Sequence, residues 1–282
     1  MKRPLVRTTP SLRAINHVAA RARGEPLNAD LRVTLNVHPD RVRDGMPLLA
    51  ALARDGIYRS QFETGTSNGG LTAYPGGDRW RWESRIFGGA YDDAPAVWRP
   101  KYGALNFRRK PAGGAPRFGS AHLRLTEETL RRTTFCYPDS VFEPAHVGVA
   151  ARMSLIDLAA ADDRDALDDY IEAHVHGAVR LDRDVEALVL DPCFRDTTVE
   201  SLARALPCPI EWHPGFRLSI DDLRRHPGYR GQHIVDLGLT LAIDGCLDAR
   251  IIGEAALAGT CDEQALKRVW HYVARFGTPM EL

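Results

Sequence analysis

The 282-residue sequence has no excess of charge in either direction: 37 Lys and Arg stand against 37 Asp and Glu, for a formal net charge of zero. That balance excludes a broadly basic surface of the kind that draws a chain to nucleic acid, so charge-based recognition has to be local. Cysteine is sparse and unpatterned. The five copies (Cys136, Cys193, Cys208, Cys246 and Cys261) are odd in number and nowhere spaced as Cys-x-x-Cys. This speaks against a disulfide framework and a structural zinc cluster, and fits a reducing compartment. No apolar run approaches the roughly 20 residues that span a bilayer. The first 24 residues are basic without an apolar stretch and a cleavage site, so no Sec-type signal is read, although a signal for a dedicated secretion machine need not be hydrophobic. Internal repeats, low-complexity linkers, a Rossmann fingerprint and a Walker A spacing are also lacking.

What is present is ordinary globular material, with 44% hydrophobic residues. Apolar positions recur at helical spacing over residues 12–19 and 47–52, with a strand-like stretch at 31–35 between them. Glycine and proline are dense from 56 to 140, which predicts short strands and long loops there, no helix of any length, and the first place to look for a site. Residues 156–169 read as an acidic surface helix, 170–177 and 184–192 as strands, 198–206 as a short helix and 208–213 as a third strand. From Ser219 onward the pattern is helical, with capping boxes at 219–222 and 260–263. The expectation is an α+β protein: a helical N-terminal segment (1–54) packed on a mixed β core (55–216), and a C-terminal helical segment (217–282) of the same domain.

Three groups of residues carry candidate chemistry. Arg59 follows a strand-like Gly56-Ile57-Tyr58 and precedes a glycine-rich loop. A guanidinium there matches phosphate oxygens, with the simpler alternative that it pairs with Asp55 or Glu63. The pairs Tyr102-Gly103 and Phe118-Gly119 set an aromatic beside a residue with no side chain, which offers a stacking platform for a planar ring or is plain packing. In Tyr170-Ile171-Glu172-Ala173-His174-Val175-His176, alternation puts Glu172, His174 and His176 on one strand face. Those three read as a solvated sheet face, as metal ligands together with His213, or as the setting of a catalytic glutamate, for which Glu211 is the competitor.

In chain order, YRSQFETGTSNGG (58–70), RPKYGALN (99–106), RFGS (117–120), RTTF (132–135), YIEAHVHG (170–177), DVEALVLDP (184–192) and EWHPGF (211–216) resemble the successive motifs of the CteC-like family of bacterial ADP-ribosyltransferases. The resemblance implies an ADP-ribosyltransferase-like core, NAD⁺ as co-substrate, and transfer of ADP-ribose to a protein hydroxyl, as in effectors that modify a threonine of ubiquitin. It implies Arg59 on the NAD⁺ phosphates or adjoining ribose with Ser60 and Gln61 beside it. Tyr102, Gly103, Asn106, Phe118 and Gly119 would line the dinucleotide pocket, and Glu172 would be the catalytic carboxylate. No Ser-Thr-Ser triplet and no Glu-x-Glu pair is present, since Tyr170 stands two before Glu172, and this argues against arginine as acceptor. An NAD⁺ glycohydrolase on the same scaffold and, further off, a metal-dependent hydrolase using Glu172, His174 and His176 are the alternatives. Such a protein would work without a resident metal, in the bacterial cytoplasm or secreted into a host cell without a Sec signal, with no nucleic-acid or membrane partner.

Overall fold

The computed structural model describes residues 8–65 and 72–280; Gly69 and Gly70 of the glycine-rich loop lie outside the described residues. The strands are β1 (Val33–Val37), β2 (Val42–Arg43), β3 (Met46–Pro47), β4 (Ile57–Tyr58), β5 (Lys101–Leu105), β6 (Ala121–Leu125) and β7 (Thr133–Tyr137). They continue with β8 (His146–Val149), β9 (Ile171–Val175), β10 (Val179–Arg180), β11 (Val185–Leu190), β12 (Ile210–Trp212), β13 (Leu218–Ser219) and β14 (Cys246–Leu247). Eight of them form one mixed sheet in the order β12-β11-β6-β1-β5-β9-β7-β8, antiparallel except for the β11–β12 pair. The helices are α1 (Pro10–Arg21), α2 (Leu48–Asp55), α3 (Gln61–Thr64), α4 (Asp78–Ile86), α5 (Leu155–Ala161), α6 (Thr198–Ala203), α7 (Ile220–Arg224), α8 (Gln232–Leu241), α9 (Ala249–Ala258) and α10 (Glu263–Phe276). The architecture is thus α+β, and none of these helices is long and apolar enough to cross a membrane.

Local signals explain most element ends. Thr9 accepts the Leu12 amide and Pro10 takes the first turn of α1, while Gly56, at φ 64°, closes α2. Ser219 caps α7 as its box predicts, but α10 is capped by Asp262, one residue ahead of its first turn, and Thr260 takes no part. The acidic run after residue 155 keeps a helix only to Ala161; beyond it the carboxylates of Asp162, Asp165 and Asp169 hold Arg164, Arg275 and Arg108, which competes with helix continuation.

Two departures from the sequence reading matter for the site. First, the N-terminal segment is more than a helical preface, because β1 lies in the middle of the sheet between β6 and β5. Its five residues are all buried, Val33, Leu35 and Val37 within the main apolar cluster and Thr34 and Asn36 on the opposite face. Second, a nine-residue helix, α4, forms inside the stretch dense in glycine and proline. Residues 78–86 themselves contain neither breaker, Thr72 Oγ1 accepts the Asp78 amide at 2.8 Å, and Arg79, Trp82, Glu83 and Ile86 recur at helical spacing on a buried face. With α1, α4 covers the end of the sheet carrying β7 and β8: Ala14, Val18, Trp82, Ile86, Phe87 and Tyr91 pack with Cys136, Val147 and Val149.

Candidate functional site

Antiparallel register assembles the site. Tyr102 on β5 and Thr134 on β7 are both register partners of His174, and Ala104 and Cys136 are partners of Glu172, so these side chains share one face of the sheet. The loop before β6 reaches over that face: the Gly114 amide donates to Thr34 Oγ1 at 2.8 Å and the Ala115 amide to Asn36 Oδ1 at 3.3 Å. A Cβ on Gly114 would stand 2.9 Å from that of Ala104, so the close approach requires glycine.

Between the sheet and its cover is a recess of ≈ 60 Å³. Thr34, Asn36, Ala104 and Glu172 form part of its lining, with Tyr58, Gln61, Arg79, Tyr102, Gly103, Ala115, Phe118 and Tyr170 completing it. Five residues singled out from the sequence therefore meet here: Gln61, Tyr102, Gly103, Phe118 and Glu172. Four others lie outside the lining. Arg59 is half-exposed, its Nε 2.9 Å from Asp55. Ser60 caps α3 and donates to the Ala96 carbonyl, Asn106 ties a turn by two 2.9 Å hydrogen bonds with Lys110, and Gly119 lies against β1. The glycines make room for the protein itself. A Cβ on Gly103 would meet the Thr34 carbonyl oxygen at 2.5 Å, and one on Gly119 the Val37 carbonyl carbon at 2.0 Å.

Arg79, which sequence reasoning missed, is the cation of the site. Its Nη1 donates to Ser140 Oγ at 2.7 Å and lies 3.8 Å from Glu172 Oε1, and its guanidinium sits 4.1 Å over the Tyr102 ring. The Tyr102 hydroxyl donates to Glu83 Oε1 at 3.0 Å, and Arg99 donates to Glu83 Oε2 at 2.6 Å. A helix-spaced Arg79 and Glu83 flanking Trp82 was the available signal. Burial works against the charge of Glu172, yet the His174 hydrogen bond, the Arg79 charge and the Ser140 hydroxyl outweigh it and hold the carboxyl below its usual range. Glu83 goes the other way: burial raises it to about 7 in spite of Arg99, Tyr102 and Arg79. Two buried polar atoms in the recess lining, Gln61 Oε1 and Arg79 Nε, have no hydrogen-bond partner among the described residues.

Glu172, His174 and His176 do share a face, but a buried one, with 6%, 0% and 1% exposure. Cys136, Glu172 and His174 present donor atoms within 4.8 Å of one another. They fit a hydrogen-bonded cluster better than a cation site. His174 Nε2 and Glu172 Oε1 are bonded directly at 3.0 Å, burial and Glu172 push the Cys136 thiol well up so that it keeps its proton, and Arg79 adds positive charge. His213 is not among them, since it bonds the Ser120 carbonyl at 2.7 Å and the Gly215 amide at 3.0 Å. Glu211 is also elsewhere, on edge strand β12, where Arg124 grips both its oxygens at 2.6 and 2.8 Å.

Residues 32–161 and 150–276 match a family described as protein of unknown function, DUF3626. The chain belongs to the DUF3626 family. The matched residues take in β1, α4, β5, β9 and α10, so both the recess and the helices around it are part of the DUF3626 domain. No curated protein matches the chain.

Proposed function

We propose that this DUF3626 protein is an NAD⁺-dependent mono-ADP-ribosyltransferase that moves ADP-ribose to a protein hydroxyl, with a threonine of ubiquitin as the acceptor suggested by its sequence resemblance. The observation that carries the reading is a carboxylate, Glu172, held as an anion in the wall of an aromatic recess whose two unpartnered polar atoms are one acceptor and one donor. A primary carboxamide satisfies such a pair, its N–H facing Gln61 Oε1 and its carbonyl facing Arg79 Nε. Nicotinamide carries that group on a flat ring, and Tyr102, Phe118 and Tyr170 supply aromatic surface to the recess wall.

At ≈ 60 Å³ the recess is smaller than the roughly 150 Å³ that holds a benzene ring and far below the roughly 300 Å³ and more of a whole-ligand pocket, so it would take the carboxamide edge of nicotinamide, with the rest of the dinucleotide outside. The phosphates would stay outside, within reach of Arg59, whose exposed pairing with Asp55 is weak enough to exchange for a phosphate. In the reaction the bond between nicotinamide and ribose C1 breaks, nicotinamide leaves neutral, the acceptor oxygen bonds C1 and the hydroxyl proton is released. A carboxylate about 4 Å from the cationic C1 would contribute on the order of 4 kcal/mol at an effective dielectric of about 20, or roughly a thousandfold in rate. Arg79 would thus do two things, binding the carboxamide through Nε and holding Glu172 through Nη1.

Incubation with labelled NAD⁺, with and without ubiquitin, tests this. Label on protein is the expected result. Label released only as free ADP-ribose would favour the glycohydrolase, and unconsumed NAD⁺ at high enzyme concentration would sink both.

A further inference from the structure

Behind Glu172 the buried face of the sheet carries a chain of side-chain hydrogen bonds that the proposed chemistry does not use. His174 Nε2 lies 3.0 Å from Glu172 Oε1, and His174 Nδ1 3.2 Å from Thr134 Oγ1. Thr134 Oγ1 is 2.9 Å from His176 Nε2, and His176 Nδ1 is 2.7 Å from the Tyr91 hydroxyl, itself 3.4 Å from Ser11 Oγ on α1. Tyr91, Thr134 and His174 are fully buried and His176 is 1% exposed, so no water competes for these links. The Phe87 ring stands edge-on to both imidazoles at 5.4 and 5.1 Å, and the Tyr91 ring lies parallel to that of His176 with centroids 5.9 Å apart, which fixes the rings.

Where Glu172 is ionised and each imidazole carries a single proton, the four links admit one arrangement. Glu172 accepts from His174 Nε2–H, His174 Nδ1 accepts the Thr134 O–H, Thr134 accepts from His176 Nε2–H, and His176 Nδ1 accepts the Tyr91 O–H. Every donor then points toward the carboxylate. We propose that Tyr91, His176, Thr134 and His174 form a one-way hydrogen-bond relay that orients Glu172 and favours its negative charge. They are positioning residues, and the proposal rests on the reading of Glu172 as the working carboxylate only for its catalytic consequence.

Other groups face Glu172 as well. Arg79 of α4 and Ser140 after β7 favour its charge, Asp139 beside Ser140 opposes it, and Cys136 of β7 touches it. Tyr102 of β5 and Tyr170 ahead of β9 complete the surround, with Glu83 of α4 held behind Arg79 and Tyr102. The relay is what a substitution at Thr134 interrupts without altering any of these.

The test uses the full chain without NAD⁺. Nitrogen NMR of ¹⁵N-histidine protein should find both His174 and His176 as neutral Nε2–H tautomers, and a doubly protonated ring or an Nδ1–H tautomer at either residue overturns the relay. Carbon NMR of the ¹³C-labelled Glu172 carboxyl should find its titration midpoint raised by about one pH unit in Thr134→Val and returned toward wild type in Thr134→Ser. An unmoved midpoint in Thr134→Val also overturns it. If tautomers and midpoints behave as stated and NAD⁺ is still not consumed, the relay stands and the transferase reading falls. In an active protein the acid limb of the kcat profile should move up with the Glu172 midpoint in Thr134→Val.

Discussion

Replacing Glu172 by glutamine removes one charge at almost constant volume, so it isolates the electrostatic contribution. We expect Glu172→Gln to keep its fold and NAD⁺ binding, read as a thermal shift on adding NAD⁺, while kcat falls by about 10²–10³. The two arginines should separate in kinetics. Arg59 has an exposed ion pair, so Arg59→Ala should change stability by about 0.5 kcal/mol or less and raise KM for NAD⁺ with kcat nearly kept. Arg79→Ala strips a buried anion of its cation and should lower kcat and stability together. Glu172 was legible in the sequence because a strand displays its period in every second residue, and Tyr102 and Phe118 because each is an aromatic beside a glycine, whereas Gln61 came only with the family resemblance. Arg79 was hidden by its surroundings: composition averaged over 56–140 described the loops and concealed the nine residues between them. The glycines of Tyr102-Gly103 and Phe118-Gly119 were conspicuous for a different reason from the one they suggest, since backbone, not ligand, occupies the space they leave.

At the scale of elements, α4 links the site to pH. Glu83 rises from 4.5 to about 7 on folding, so the folded protein holds a proton there that the unfolded chain gives up. The sign follows: the Glu83 contribution to stability is complete below about pH 4.5, declines as pH rises toward about 7, and is flat above. Denaturant midpoints measured across that window should fall less steeply in Glu83→Gln than in wild type, and equal slopes would refute a raised Glu83. The β1–β5 contact makes a second prediction. Gly103→Ala would force a methyl against the Thr34 carbonyl and Leu35, costing about 1–3 kcal/mol in urea denaturation even though the recess gains almost no bulk.

For the whole molecule, alternation and helical periodicity made the α+β class and four of the eight sheet strands (β1, β9, β11 and β12) readable, whereas β5, β6 and β7 were expected only as unplaced short strands and β8 was missed; strand order was not readable at all, because it is set by contacts between distant parts of the chain. Residues 31–35 read as a strand, but nothing in them announces a central position. We expect a chain beginning at residue 55 to lose cooperative unfolding, since it would lack β1 and present β5 and β6 as open edges; a sharp unfolding transition in that fragment would contradict this.

The position of β1 also sets a timetable. Val33 pairs with Leu105 and Val37 with Ala121, so β1, made before both of its neighbours, waits for them until β5 and β6 have been synthesised. During that interval the segment Val33-Thr34-Leu35-Asn36-Val37 is an unpaired, mostly apolar ribbon, open to holding by a chaperone or to capture by another nascent copy. β1 lies between two strands that run parallel to each other and so joins the β12-β11-β6 side of the sheet to the β5-β9-β7-β8 side. The recess, lined by Thr34 and Asn36 of β1 and by Glu172 of β9, depends on that join.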